Sequence, residues 1–168
     1  RNHGITRTLM SRYSEGKPWE YDIREPGYNY RLDEVRATLG ISQLKKLDIM
    51  QKKRIENSNY LKQKLSGIKN ISFLDYDENT KWNYQYFIIK IEKNYEAFNK
   101  KIFKLGIHAM EENVWNCLDY NYLIINEKDD FKTTIENNKK ILRIQNSSYL
   151  TKKNLDKIVN AIIESANV

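Results

Sequence analysis

Two short segments carry the residue types best suited to binding chemistry. The first is RNHG (residues 1–4), and the second is GYNYRL (residues 27–32), in which Asn29 and Arg31 alternate with tyrosines. An amide and a guanidinium both donate hydrogen bonds, so a loop presenting them could hold an anion. Residue chemistry alone favours the alternative, a turn whose tyrosines pack on a neighbouring helix.

The other reactive side chains form no recognisable catalytic set. The sequence contains no glycine-rich nucleotide motif, no HExxH and no GxSxG. Cys117 is the one cysteine and has no obvious activating partner, so we expect a small buried hydrophobe. We expect His108, after Gly106-Ile107, to be a strand-end or surface histidine. A metal site is not expected.

The charge is positive but dispersed. The chain has 168 residues, of which 29 are Lys or Arg and 22 are Asp or Glu, giving +7. The lysines are spread mainly over polar faces of helical segments, which predicts a solvated surface and no nucleic-acid partner. No apolar run reaches the ~20 residues that cross a bilayer, so no membrane association is expected. The default expectation is a soluble cytoplasmic protein.

The secondary structure around the two segments is predicted from the turn-forming Gly and Pro residues and from the spacing of the apolar residues. Residues 1–31 are rich in Gly, Pro and aromatic residues and are predicted to be a loop. A helix is expected from Leu32, with Asp33 and Glu34 at its N-terminus. Gly40 weakens its middle, which predicts either close packing or a break there.

A second helix is predicted from Asp48 to about Leu65, with Gly67 ending it. The rest of the chain mixes short strands with helices and leaves residues 113–127 ambiguous. Strands are predicted at 71–74, 81–91, 107–110 and 141–144, and helices at 95–105, 131–140 and after Thr151. In the last helix, the apolar stripe contains Leu155, Ile158, Val159, Ile162 and Ile163. The pattern predicts a small α+β domain following a helical bridge.

A longer run then suggests a family. GYNYRLDEVRATLGISQLKKLD (residues 27–48), preceded by RNHG and followed by a basic helix containing Lys53 and Arg54, resembles the DegT/DnrJ/StrS family. These are pyridoxal-phosphate (PLP)-dependent aminotransferases that act on nucleotide-linked keto sugars. The matching pattern is R-x-H-G, G-x-N-x-R, an acidic pair, A-x-x-G and Q-L-x-x-L-D. A looser match ends in SYLT (residues 148–151) and the last helix.

The resemblance implies the C-terminal part of a fold-type-I enzyme. Residues 1–45 would end the large PLP-binding domain, and residues 46–168 would form the small C-terminal domain. Asn29 would reach across a homodimer interface to the cofactor phosphate in the partner's site, with Arg31 ordering the same loop or adding charge. His3 would have a supporting structural role. The Schiff-base lysine would precede residue 1, so no residue of this chain is predicted to be catalytic.

The family resemblance also implies partners and alternatives. The full-length enzyme would move an amino group, typically from glutamate, to a nucleotide-linked keto sugar for polysaccharide or glycoconjugate synthesis, and these 168 residues alone would be inactive. Two departures concern the sugar pocket: no proline follows Gly106-Ile107, and Arg143-Ile144-Gln145 replaces a Leu-Pro. The alternatives are a dehydratase of the same family, a basic nucleic-acid-binding module, and a non-catalytic structural domain.

Overall fold

The chain folds into two compact units, Arg1–Leu47 and Asp48–Val168. The structure is a computed structural model that describes residues 2–6, 9–14, 16, 19–74, 77, 79–111, 131–138 and 140–167. The ambiguous segment 113–127 and Cys117 lie outside the described residues. The assignment of residues 1–45 and 46–168 to two enzyme domains stays a prediction.

The first unit contains two helices, α1 (Leu9–Ser14) and α2 (Glu34–Leu44), within a long loop. The short α1 differs from the predicted continuous loop, because a helix of six residues is too short for an apolar period to reveal. The predicted start of α2 is confirmed. The Asp33 carboxylate accepts a hydrogen bond from the Arg36 backbone N–H at 2.9 Å and so caps the helix.

Of the two alternatives predicted for Gly40, close packing or a break, the break is wrong, because α2 runs through this position. The chain turns instead at Lys45-Lys46, where the Lys46 N–H donates to the Gln43 carbonyl at 3.0 Å. Apart from the adjacent backbone of α2 and the two chain neighbours, no described residue has an atom within 4 Å of the point where a Cβ on Gly40 would stand. None of the α2 residues is buried. The helix is therefore continuous, and the described residues leave its large apolar side chains exposed.

The second unit is an antiparallel sheet packed by helices, as the α+β prediction requires. Its elements in chain order are α3 (Leu47–Leu65, which begins at the end of the first unit), β1 (Ile71–Phe73), β2 (Tyr86–Ile91), α4 (Tyr95–Lys104), β3 (Ala109–Glu111), α5 (Lys132–Asn138), β4 (Ile141–Gln145) and α6 (Lys152–Ala166). The described strands form one sheet in the order β1-β2-β4-β3. Ile71 pairs with Ile91, and Phe87 with Ile144, in antiparallel register.

One face of the sheet forms the core. Alternate residues of β2 and β4 are buried, as the period-two pattern of a half-buried strand requires. Helices α3, α4 and α6 cover this face with buried apolar side chains. The core contains Leu61, Leu65, Phe87, Ile89, Ile91, Phe98, Ile102, Leu142, Ile144, Leu155, Ile158, Val159 and Ile162.

The predicted strand at 81–91 begins only at Tyr86. Tyr84 has φ of 48°, in the left-handed region that a strand does not use. The Asn83 side chain accepts a hydrogen bond from the Gln85 N–H at 3.0 Å and closes a turn there. The Asn83 hydrogen bond thus favours a turn over strand pairing, although the segment has the aromatic residues of a strand.

The last helix forms as predicted. Thr151 caps α6, and its side chain and that of Asn154 satisfy each other's backbone N–H groups in a capping box. Tyr60 of α3 donates a hydrogen bond to Asp156 of α6. This bond, together with desolvation and the negative charge of the carboxylate, raises the pKa of Tyr60 above its ordinary value of 10.0. Helices α3 and α6 are thus joined by a polar contact beside their apolar packing.

Buried polar groups join α3 to the end of β4. Asn146 is 2% exposed, and its Nδ2 donates to the Tyr84 and Arg54 carbonyls, each at 2.9 Å. Nδ2 also lies 2.9 Å from Ser58 Oγ, and Oδ1 accepts from Asn57 Nδ2 at 3.2 Å. This network fixes the position of the 84–85 turn against α3.

Within the described residues, no helix combines the length and the apolar character that crossing a bilayer requires.

Candidate functional site

The two segments singled out in the sequence lie side by side in the first unit. Asn2 and Asn29 form an antiparallel bridge, and the His3 N–H donates to the Tyr28 carbonyl at 3.1 Å. A second bridge joins Ile5 to Ile23. Residues 2–5 and 27–31, called the site loop below, are therefore held together by backbone hydrogen bonds. Arg1 lies outside the described residues.

Two glycines permit this pairing. A Cβ on Gly27 would stand 2.3 Å from the Gly4 nitrogen and 2.8 Å from the His3 carbonyl carbon. A Cβ on Gly4 would stand 2.0 Å from the Glu25 carbonyl oxygen, and Gly4 has φ of 73°. Each neighbouring atom belongs to the backbone and cannot move aside as a side chain could. The site loop needs glycine at both positions.

The turn at His3-Gly4 also places a non-glycine residue in a sparsely populated conformation. His3 has φ of 55°, and the Ile5 N–H donates to the Asn2 carbonyl at 3.0 Å to close the turn. Left-handed backbone at a non-glycine residue is uncommon and concentrates at functional positions. In this chain the left-handed turn reverses the backbone direction, and the His3 ring faces Arg31.

Arg31 links the other two candidate side chains. Its Nε donates to Asn29 Oδ1 at 3.0 Å, and its backbone N–H lies 3.4 Å from the same oxygen. Its terminal nitrogen Nη2 lies 3.5 Å from His3 Nε2, which must act as the acceptor in a hydrogen bond with a guanidinium, because a guanidinium only donates. The structure thus brings together Asn29, Arg31 and His3 across 28 residues of sequence.

These contacts orient the Asn29 amide. Its oxygen is occupied by Arg31, which leaves the Nδ2 group with two N–H donors and no hydrogen bond to another described residue. Within the described residues Arg31 has no carboxylate partner, so its positive charge is uncompensated locally. All three side chains are exposed. The site loop can offer an amide donor beside a cation, which suits an anionic group.

The remaining residues considered in the sequence lie elsewhere. His108 is exposed just before β3, and its ring meets Phe103 edge-on at 5.1 Å, as expected for a surface histidine. Lys53 and Arg54 both lie on α3, where Lys53 pairs with Glu56 at 3.6 Å.

Sequence reasoning missed the buried polar network around Asn146 and the recess beside it, in which Arg54 takes part. One signal was present, because Asn57 occupies the position between Arg54 and the core residue Leu61 on the buried side of α3. A polar side chain on the apolar face of a helix is buried and needs a hydrogen-bond partner there.

Comparison with solved structures places this fold among sugar aminotransferases. A putative sugar aminotransferase, Spr1654 from Streptococcus pneumoniae in its PMP form, superposes with a TM-score of 0.77 at 17% identity, covering 99% of this chain and 43% of that one. The predicted α+β class agrees with this fold.

The chain belongs to the DegT/DnrJ/EryC1/StrS aminotransferase family, which it matches over residues 1–163. The family resemblance predicted from the site-loop motifs is confirmed. A UDP-4-amino-4,6-dideoxy-N-acetyl-beta-L-altrosamine transaminase of Campylobacter jejuni is 31% identical over 112 residues, 65% of this chain and 27% of the relative. The spore coat polysaccharide biosynthesis protein SpsC of Bacillus subtilis is 43% identical over 54 residues, 32% of this chain and 14% of the relative. The chain spans well under half the length of these proteins.

Proposed function

We propose that this chain is the C-terminal part of a PLP-dependent aminotransferase that transfers an amino group from glutamate to a nucleotide-linked keto sugar. The observation that carries the proposal is the site loop, in which the family motifs assemble around the Asn29 amide. The family match and the sugar-transaminase relative support the reaction class. A cytoplasmic location stays a prediction of the sequence.

The residues of the site loop fit the phosphate of the cofactor. A phosphate monoester is acceptor-rich, and the unengaged Nδ2 of Asn29 can donate to one of its oxygens. The adjacent Arg31 guanidinium favours a negative group, while its hydrogen bond to Oδ1 keeps the amide from rotating its oxygen towards that group. PLP would supply the electron sink for the chemistry at the substrate carbon.

In the proposed reaction, the residues of this chain hold the cofactor phosphate in place and take no part in bond making or breaking. Asn29 would donate to the phosphate, and Arg31 would hold the amide in the donating orientation. His3, fixed by the left-handed turn, contacts the far end of the Arg31 guanidinium and restricts its rotamers. A fixed anchor for the phosphate keeps the reactive end of the cofactor in register with a substrate, which is the entropic contribution of a positioning site.

The exposed surface of the first unit supports a shared active site in a homodimer. Val35 is 80% exposed, Leu39 60% and Leu44 67%, and these residues lie on more than one side of α2. A helix that is apolar on several sides is normally buried in the complete protein. We propose that the remainder of the enzyme and a second copy of it cover these faces, with Asn29 directed to the partner's cofactor. Sedimentation of the full-length protein should show a dimer.

Activity assays with a UDP-linked keto sugar, glutamate and PLP test the function. The full-length protein should form the amino sugar and 2-oxoglutarate in equal amounts, whereas residues 1–168 alone should show no turnover. Loss of water from the sugar without gain of nitrogen would identify a dehydratase instead. Turnover by the isolated 168 residues would contradict the assignment of the reacting groups to the rest of the enzyme.

Asn29→Ala in the full-length protein should weaken PLP binding by about tenfold or more, because a hydrogen bond to a charged group is lost. The fold should be unchanged, since the Asn29 side chain is exposed and its backbone bridge to Asn2 remains. Titration of the apoenzyme with PLP, followed by absorbance, measures the effect. Asn59→Ala, at an exposed position of α3, is the matched control and should bind PLP normally. Equal affinity in both variants would remove Asn29 from the phosphate site.

A further inference from the structure

The second unit contains a polar recess that the aminotransferase reaction does not explain. It has a volume of about 100 Å³ and lies between α3, the turn before β2 and the end of β4. Among the described residues its lining is polar and includes no carboxylate: Arg54, Gln85, Tyr86, Gln145, Asn146 and Ser147. The recess belongs entirely to the unit Asp48–Val168.

Arg54 gives the recess its charge. The side chain is half-buried, and its Nε is a buried donor without a hydrogen-bond partner in the described part of the chain. No carboxylate among those same residues forms an ion pair with it. A partly desolvated guanidinium without a counter-ion is unfavourable, and it is normally paired with an anion.

Neutral donors stand beside this cation. The side-chain amides of Gln85 and Gln145 line the recess, and neither hydrogen-bonds another residue that the structure describes. The Asn146 amide, by contrast, is fully engaged in holding the Arg54 backbone and the Tyr84 carbonyl. The floor of the recess is therefore rigid, while its mouth offers adjustable donors.

We propose that this recess binds a phosphoryl oxyanion. About 100 Å³ is the space of roughly three water molecules at ~30 Å³ each, which admits a phosphoryl group and excludes a nucleoside or a sugar ring. The guanidinium fork of Arg54 and the two glutamine amides match the tetrahedral set of acceptor oxygens. The anion is either free inorganic phosphate or a phosphoryl group of a larger ligand whose remaining parts lie outside the recess.

Calorimetric titration of the PLP-loaded full-length enzyme with inorganic phosphate tests the proposal. Arg54→Gln should weaken phosphate binding by about tenfold or more, since charge-assisted hydrogen bonds are removed. Lys52→Gln is the matched control, because it removes one positive charge from an exposed position of the same helix and should change the affinity less than about twofold. Equal loss in both variants, or an unchanged affinity in Arg54→Gln, would overturn the proposal. An absence of saturable phosphate binding to the wild-type enzyme would also overturn the proposal, because the recess would then hold only water.

A second variant covers the case in which Arg54→Gln does not fold. Gln145→Glu places a carboxylate at the mouth of the recess, at an exposed position, and should also abolish phosphate binding. Unchanged phosphate binding in Gln145→Glu would contradict the site.

Titration with UDP distinguishes the two sources of the anion. A parallel loss of UDP affinity in Arg54→Gln indicates a phosphoryl group of a nucleotide ligand, and a loss confined to phosphate indicates a free anion. PLP content should stay normal in Arg54→Gln, whereas Asn29→Ala lowers it, so this site and the proposed cofactor role succeed or fail separately.

Discussion

Asn146→Ala is expected to lower the free energy of unfolding by about 3 kcal/mol, because the substitution leaves several buried polar groups unpaired at once. The Arg54 and Tyr84 carbonyls each lose a donor at 2.9 Å. Ser58 Oγ and Asn57 Nδ2 also lose their contacts with Asn146, and Asn57 Nδ2 keeps only the Ser147 carbonyl at 3.1 Å. Urea unfolding followed by circular dichroism, extrapolated linearly to zero denaturant, measures the change.

Asn160→Ala is the control for this effect. Asn160 is exposed on α6, where alanine is the better helix former, so stability should stay within about 0.5 kcal/mol or rise slightly. If both variants lose less than about 1 kcal/mol, the Asn146 network does not hold the turn before β2 onto α3.

Gly27→Ala should weaken PLP binding at least as strongly as Asn29→Ala, by about tenfold or more. The new Cβ would stand 2.3 Å from the Gly4 nitrogen, so residues 2–4 and 27–29 must separate. Separation breaks the hydrogen bond from the His3 N–H to the Tyr28 carbonyl and removes His3 from Arg31. The proposed phosphate contact of Asn29 and the charge of Arg31 would then be displaced together, whereas Asn29→Ala removes only the first of them. PLP titration of the full-length apoenzyme gives the affinity.

Gly67→Ala serves as the matched substitution. Gly67 has φ of 81°, so alanine adds backbone strain there, but apart from its chain neighbours no described residue has an atom within 4 Å of the added Cβ. Gly67→Ala is therefore expected to destabilise the protein mildly without a clash at the site loop. Its PLP affinity should be unchanged. A Gly27→Ala enzyme that binds PLP as well as Gly67→Ala would show that the close approach of the two segments is not needed.

The elements with strong local signals were predicted well. Helix α6 carries both an apolar stripe and a capping box, and α2 begins at an Asp33 cap, so short-range interactions suffice to define them. The errors occur where local signals conflict or are absent. The 81–85 segment has the composition of a strand, yet the Asn83 side chain and the left-handed Tyr84 favour a turn. Helix α1 is too short to show a period.

The candidate site divides in the same way. Asn29 and Arg31 are two residues apart, so their joint presentation could be predicted from the G-x-N-x-R pattern. The recess around Arg54 could not, because its lining comes from three elements far apart in the sequence.

The order of residues alone determined the family, the α+β class and the two segments of the candidate site, because motif identity and apolar period are local properties of the chain. Tertiary structure decided the strand order β1-β2-β4-β3, the close approach of Gly4 to Gly27 and the contact of His3 with Arg31. These features depend on which distant backbone segments can approach without a clash and satisfy one another's hydrogen bonds, and that depends on the three-dimensional path of the whole chain.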